Sequence, residues 1–365
     1  MPVAHVLRRS TIQKSFRVRQ VLGMFDVPDK KEIVHEWRVN VPVEERPWKI
    51  GLIVGPSGAG KTTLATELFP KAYLHEAFDW PAKASLLDAF PEHLSIKDIT
   101  AALNAVGFSS PPHWLKTWHH LSNGQKFRAE LARCLLMDVD TVVFDEFTSV
   151  VDRDVAKICS AAVAKTIRKR ARPQLVAVSC HFDIIDWLQP DWMYDVAADR
   201  FEWRRLRRRP PVRLEIHQTT RRAWTLFRGH HYLSADLHQS ARCYVAWWGE
   251  RPVAFTAVLH QPNQKSRNRK REHRTVVLPD YQGVGIGNAV SAAIAQWHLD
   301  QGWKYSSVTS HPAMIRHRLK SAQWKLSRLS RAAPHRGLKG QERCASTGRL
   351  TASFEFVGHR EKRVA

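Results

Sequence analysis

Two short stretches of this chain combine residue types that handle phosphate. Gly55-Pro56-Ser57-Gly58-Ala59-Gly60-Lys61-Thr62, continued by Thr63, has the spacing G-x-x-x-x-G-K-[ST] between an apolar run and the helical pattern TLATELF. Its glycines let backbone N–H groups wrap phosphate oxygens, Lys61 brings charge to the β- and γ-phosphates, and the Thr62 hydroxyl can reach Mg2+. A mere glycine turn does not explain a Lys-Thr pair at that spacing, so ATP with Mg2+ is the expected ligand. The second stretch is Gln282-Gly283-Val284-Gly285-Ile286-Gly287. Asn288 stands where the last glycine of a dinucleotide fingerprint would be, which turns the loop away from NAD. Small residues at a helix start still expose N–H groups where the helix dipole favours an anion.

Further candidates follow the first loop in a set order. LSNGQKFRAELARCLL (Leu121 to Leu136) precedes TVVFDEFTSVVDR, with Asp145-Glu146, and then SCHFDI, with His181. Alone, Asp145-Glu146 reads as a solvated strand end and His181 as a core histidine. As an ordered set these pieces resemble the signature, Walker B strand and switch histidine of ABC-type ATPases, across most of residues 25–200. The resemblance implies that Thr62 and Asp145 serve Mg2+, that Glu146 polarises the attacking water, and that His181 contacts the γ-phosphate. It also implies that Ser122, Gly124 and Gln125 of the signature close on ATP bound by the opposite subunit, giving a homodimer through the ATPase domain. Asn123 replaces the usual first glycine, a place where Asn can tolerate a positive φ. No glutamine lies between Lys61 and Gln125 to supply the family's Q-loop. Asp88 lies in that region without a firm role, and the short span between Lys61 and Ser122 argues against membrane transport. Phe25 fits either an adenine-stacking aromatic or a core position.

The second loop matches Q/R-x-x-G-x-G/A, and with its surroundings it resembles the pyrophosphate loop of GNAT acyltransferases. The resemblance implies acetyl-CoA or another acyl-CoA, with Gln282 to Gly287 at the pyrophosphate and the strand ending VVLPDYQ beside the pantetheine arm. SVTSHPAMIRHRLKSAQWKLSR resembles the family's last core strand and helix, with Trp324 after the turn, and TASFEFVGH would be the closing hairpin. The chemistry needs a group to take the proton of an amine and one to protonate the leaving thiolate. His230, His231 and Tyr232 lie in a substrate-side loop, where His231 or Tyr232 could serve, and Ser310 and His311 end the strand near the thiolate. The order of the two halves resembles a prokaryotic and phage fusion family, on LSNGQKFRAELA, DEFTSVVDR, FRGHHYLS and LPDYQGVGIG. The acyltransferase half is also distantly similar to Mom-type phage enzymes that modify adenine in DNA.

The elements that must position these residues are legible as patterns. At 365 residues the chain exceeds the usual single core. KIGLIVG, TVVFDE and QLVAVSC are apolar runs of buried parallel-strand type, separated by helical segments. ARCYVAWWGERPVAFTAVLH reads as a hairpin, NAVSAAIAQWHLDQG as a helix ended by Gly302, and WKYSSVTSH as a strand. The fold class expected is α/β: an ABC-type P-loop ATPase domain over 1–200, a basic Arg/Pro linker over 201–212, and a GNAT-like α+β acyltransferase domain over 213–365.

Charge and cysteines bound the partners. Residues 1–200 hold 26 Lys+Arg against 24 Asp+Glu, whereas residues 201–365 hold 31 against 10. That one-sided excess favours a polyanionic partner over mere solubility, with nucleic acid first among candidates. The stretch His260 to Arg274 carries six Lys/Arg and is expected to contact a phosphate backbone. The five scattered cysteines form no C-x-x-C pair, no run approaches membrane-helix length, and the N-terminus lacks a secretory h-region. A cytoplasmic protein without a membrane partner is expected. The leading reading is an ATP-hydrolysing, acyl-CoA-dependent N-acyltransferase acting on nucleic acid, with a DNA base the expected acceptor. The alternatives are a DNA clamp with a non-catalytic GNAT fold, and an N-acetyltransferase for a protein or small amine.

Overall fold

The computed structural model describes residues 3–25, 28, 32–75, 77–231, 236–262, 267–331 and 350–358. Two compact units emerge, and they interleave along the chain: Met1–Asp79 with Cys134–Arg209, and Trp80–Arg133 with Pro210–Ala365. The first unit begins with β1 (Val3–Thr11), α1 (Phe16–Met24), β2 (Glu32–Asn40), β3 (Ile50–Val54), α2 (Lys61–Leu68) and β4 (Tyr73–His75). The chain then enters the second unit for α3 (Ile96–Ala105), α4 (Pro111–Trp114) and α5 (Asn123–Cys134). It returns to the first unit for β5 (Thr141–Phe144), α6 (Arg153–Ile167), β6 (Gln174–Ser179), α7 (Ile185–Leu188), β7 (Trp192–Asp195) and β8 (Arg200–Trp203). The rest of the second unit is β9 (Glu215–Thr219), α8 (Trp224–Phe227), β10 (Arg242–Trp248), β11 (Arg251–His260), β12 (Arg269–Val277), α9 (Ile286–Asp300), β13 (Lys304–Thr309), α10 (Pro312–Lys320), β14 (Trp324–Arg331) and β15 (Leu350–Phe356).

In the first unit the strand order is β4-β5-β6-β3-β7-β8. All pairs are parallel except β7 with β8. The apolar runs read from sequence are its central strands, and every residue of β3 is buried, as a strand covered on both faces requires. Gly51 is dictated by the neighbouring strand: a Cβ there would lie 2.0 Å from the Trp192 ring. Arg200–Trp203, at the start of the stretch read as a linker, instead forms β8. It pairs with β7, and the Arg204 N–H donates to the Asp191 carbonyl at 2.7 Å. Alternating Phe201 and Trp203 pack against the core, which outweighs the arginines that flank them, Arg200 before and Arg204 and Arg205 after.

The second unit's sheet runs β14-β15-β13-β12-β11-β10-β9, antiparallel except for β12 with β13. The expected hairpin is β10–β11, turning at Gly249 with φ 59°, and Gly302 with φ 80° follows α9 as expected. Much of the basic stretch from His260 to Arg274 belongs to β12. Lys270 there is buried with its Nζ 4.1 Å from the Trp303 ring centroid, so its charge sits over an aromatic face rather than in solvent.

A buried polar network ties this sheet to its helices. Glu272 of β12 accepts from Arg318 of α10 at 3.1 Å and from Ser307 of β13 at 3.0 Å. Ser291 of α9 also donates to Glu272. Arg318 further donates to Ser291 at 2.8 Å and to Ser307, and lies 4.1 Å over the Trp324 ring. Nearby, His298 is fully buried, with Tyr244 Oη 3.4 Å from its Nε2. Burial, with Lys270 and Arg242 adding to it, pushes its pKa down to about 4.

Two outcomes follow. Arg318→Met leaves the Glu272 carboxylate buried without its cation and should cost about 3–5 kcal/mol. Chemical denaturation reads this, and adding Glu272→Gln should recover part of the loss. For His298, above pH 6.5 neither the folded nor the unfolded imidazole is charged, and its contribution is fully present. Between pH 6.5 and about 4 only the unfolded state takes the proton, so stability falls as pH falls. Melting temperature measured across that window should decline less steeply in His298→Phe than in the parent.

Candidate nucleotide and acyl-carrier sites

The first loop leaves β3 and enters α2 through left-handed glycines, Gly58 at φ 78° and Gly60 at φ 86°. A Cβ on Gly60 would lie 2.5 Å from the Trp37 ring, so space as well as conformation demands glycine there. Pro56, Ser57 and Ala59 fill the turn between them, with the Ala59 N–H donating to the Pro56 carbonyl at 3.3 Å. Lys61 is buried and its Nζ donates to the Pro56 carbonyl at 2.7 Å, folding the side chain back over the loop. Thr62 Oγ1 donates to Asp145 Oδ2 at 2.6 Å, joining the loop to the end of β5. Thr63 continues the first turn of α2. Two hard oxygens at this separation fit the oxygen-only preference of Mg2+.

Glu146 and Thr148 adopt left-handed backbone, at φ 49° and 70°, where non-glycine residues are uncommon. The turn is pinned by the Glu146 N–H donating to Asp145 Oδ1 at 2.8 Å and by the Phe147 N–H donating to the Val178 carbonyl at 2.8 Å. It leaves the Glu146 carboxylate exposed beyond the strand end. His181 follows β6, its N–H donating to Ser179 Oγ at 3.1 Å. Burial and Arg153 hold its imidazole below the ordinary pKa, with Asp183 and Glu146 opposing them. Phe25 is 70% exposed at the end of α1, so the core alternative for it does not hold.

The signature segment opens α5 with a reciprocal cap. The Ser122 N–H donates to Gln125 Oε1 at 3.1 Å, and the Gln125 N–H donates to Ser122 Oγ at 3.3 Å. Gln125 is thereby buried in the cap. Asn123 and Gly124 lie in the helix's first turn and neither has positive φ. The tolerance of Asn for left-handed backbone is therefore not what admits it here; an early helical position accepts its short polar side chain. Asp88 is bonded by Ser85 Oγ at 2.6 Å in a local turn.

The second loop follows a 3-10 turn at Pro279–Tyr281. Gly283 and Gly285 are left-handed at φ 94° and 100°, Gly285 caps α9, and that helix has no acidic residue in its first turn. Ile286 is buried as the anchor of the helix start, while Val284 is half-buried between the glycines. A Cβ on Gly287 would approach Val277 to 3.1 Å. Gln282 is committed to scaffolding: its Nε2 donates to the Val277 carbonyl at 2.8 Å, and its Oε1 accepts the Ser109 N–H at 2.7 Å. β12 pairs with β13 only over Arg269–Glu272, so its last residues run on toward the loop without that neighbour.

The expected acid–base residues are spread over several elements. His231 is buried, its ring 5.9 Å from that of Trp224. His230 stacks on His113 at 5.1 Å between ring centroids, and burial lowers both pKa values, that of His113 to about 4. Ser310 Oγ lies 3.2 Å from Thr351 Oγ1 after β13, and His311 caps α10. Tyr232 lies outside the described residues. Residues that went unnoticed in the sequence stand closest to the loop. Arg128 of α5 is fully buried and its guanidinium donates to the Pro279 carbonyl and, at 2.8 Å, to the Asp280 carbonyl. Gly107, at φ 83°, faces the Gln282 carbonyl, which a Cβ would approach to 2.5 Å.

Comparison with known proteins agrees with both halves. The family model for GNAT acetyltransferases matches residues 189–316. The zinc import ATP-binding protein ZnuC of Marinobacter nauticus is 33% identical over 156 residues, 37% of this chain. The chain spans 57% of the length of that relative. Among solved structures, the dimeric ATP-binding cassette MJ0796 bound to ADP and Pi aligns at TM-score 0.40 and 14% identity, covering 56% of this chain and 98% of its own. A Bacillus subtilis acetyltransferase in complex with CoA aligns at TM-score 0.31 and 13% identity, covering 40% and 98%. The chain thus joins a region similar to an ATP-binding protein of the ABC type to a region that the GNAT acetyltransferase family model matches.

Proposed function

We propose that this protein is an ATPase that also transfers an acyl group from an acyl-CoA to an amine of a nucleic acid. The observation that carries this reading is a repeated device: α2 and α9 each open on a left-handed glycine and carry no acidic residue in the first turn. Each is a helix start suited to an anion, one preceded by the Lys-Thr loop and one by the Gly283–Gly285 turn.

At the first site, Lys61 is positioned to leave the Pro56 carbonyl for a phosphate oxygen, and the Thr62–Asp145 pair offers the oxygens for Mg2+. Glu146, exposed past the strand end, would orient and polarise water, and His181, held toward its neutral form, would donate to or accept from the terminal phosphate region. Ser122 and Gly124 of one subunit would complete the site of another, so ATP favours a homodimer.

At the second site, the N–H groups of Gly283 to Gly287 would hold the pyrophosphate of acetyl-CoA or another acyl-CoA, and the end of β12 would line the pantetheine arm. The bound thioester supplies the activated acyl carbon. His231 or Tyr232 would take the proton from the attacking amine, and Ser310 would supply a proton on the thiolate side. The basic excess of residues 201–365 supports a nucleic-acid acceptor, with DNA the first to test. The scaffolding duty of Gln282 favours one second reading, a DNA clamp whose acyltransferase fold is not catalytic.

Glu146→Gln should retain ATP binding and lose hydrolysis by at least ~100-fold, as loss of a general base does. Mass spectrometry of nucleosides from cells expressing the protein should reveal an acylated nucleoside in the wild type. Gly285→Glu, which places a charged side chain at φ 100° in the anion site, should abolish it. Its ATP hydrolysis should persist, showing that the first unit is intact. DNA-stimulated ATP hydrolysis with no acyl transfer to DNA, RNA or protein would replace this reading with the clamp.

A further inference from the structure

Helix α5 carries Ser122 at its start and Arg128 six residues later, roughly 9 Å along the axis. Arg128 is fully buried, yet its guanidinium is spent on backbone carbonyls, those of Pro279 and Asp280. The Asp280 carboxylate stands 3.9 Å away. These carbonyls belong to the turn immediately before the Gly283–Gly287 loop. Burying a cation is costly unless its donors are well matched, and the planar fork of arginine suits two successive oxygens.

The same segment is held at two other places. Ser109 donates to Gln282, and Gly107 makes the close approach of the Gln282 carbonyl possible. His113, anchored by Ser110 Oγ at 2.8 Å, stacks on His230. The segment that bears the ATPase signature thus shares hydrogen bonds with the loop assigned above to the acyl carrier. It does so inside one compact unit.

We propose that Arg128 is a positioning residue that couples nucleotide binding at Ser122 to acyl-carrier binding at Gly283–Gly287. The proposal rests on the function proposed above. A ligand that shifts α5 shifts the donors that fix Pro279 and Asp280, and with them the loop's N–H groups. Thermodynamic linkage makes the effect reciprocal: acetyl-CoA changes ATP affinity by the factor by which ATP changes acetyl-CoA affinity.

The test uses the full-length chain with Glu146→Gln, so that ATP persists, and measures acetyl-CoA affinity by calorimetry with and without saturating ATP and Mg2+. The two dissociation constants should differ by ~5-fold or more, and the difference should shrink below about 2-fold in Arg128→Met with ATP affinity retained. Arg128→Lys, which keeps the charge and one donor, should fall between them. Equal dissociation constants with and without ATP in the parent would overturn the coupling and leave the acyl-carrier reading standing. No acetyl-CoA binding in either state would overturn both. If Arg128→Met fails to fold, hydrogen exchange of residues 279–287 in the parent decides. A change of protection on adding ATP supports the coupling, and unchanged protection refutes it.

Discussion

A guanidinium removed from water must find oxygen partners, and Arg128 finds them in the main chain of the turn before the second glycine loop. That interaction constrains the rest of the second unit. It fixes α5 against the Pro279–Tyr281 turn, the turn sets where Gly283 begins, and Gly285 then caps α9. Gln282 reinforces the arrangement by bonding in both directions, to Val277 on its own strand end and to Ser109 on the segment between α3 and α4. The result is that residues 80–133, which the chain visits between two halves of the ATP-binding unit, fold with the acyltransferase region.

The two candidate sites share one physical device, a helix start that presents backbone N–H groups. Each is a helix start with left-handed glycines; at Gly60 a Cβ would also lie 2.5 Å from the Trp37 ring, whereas at Gly285 the conformation alone demands glycine. What separates them is the surrounding chemistry. The first site adds a cation, a hydroxyl and a carboxylate, Lys61, Thr62 and Asp145, which suit a nucleotide with its metal. The second has no lysine or carboxylate among Gly283–Gly287 and relies on backbone N–H groups beside a strand end. It lies in a region of strongly positive charge, yet part of that charge is inward: Lys270 over Trp303 and Arg318 against Glu272 hold the sheet together.

Local signals in the sequence carried far, and long-range ones did not. The loops, their flanking strands and the helix ended near Gly302 were legible because glycine spacing and apolar runs are local properties. The Ser109 partner of Gln282 and the carbonyl partners of Arg128 were not, since each lies more than 150 residues away along the chain. In sequence nothing sets Arg128 apart from Lys126 and Arg133 of the same helix, and only its burial distinguishes it. Asn123 was misread for a related reason: the family's glycine suggested a left-handed turn, whereas the Ser122–Gln125 cap makes the position helical. Within the stretch read as a linker, Phe201 and Trp203 on alternate positions make a strand only as far as Trp203. The basic run before Val277 is a strand whose alternate buried residues, Lys270 and Glu272, are charged.

α5 and the segment before it fold with residues 210–365 as one compact unit, and should therefore open with it. Native-state hydrogen exchange on the ligand-free, full-length protein tests that directly, because residues of one cooperative unit open with a common free energy. Amides of α5 from Phe127 to Ala132 should exchange through the same opening as those of α9 and β12, with the same denaturant dependence. Exchange of α5 in step with β3 and β6, or at much lower protection than α9, would contradict it.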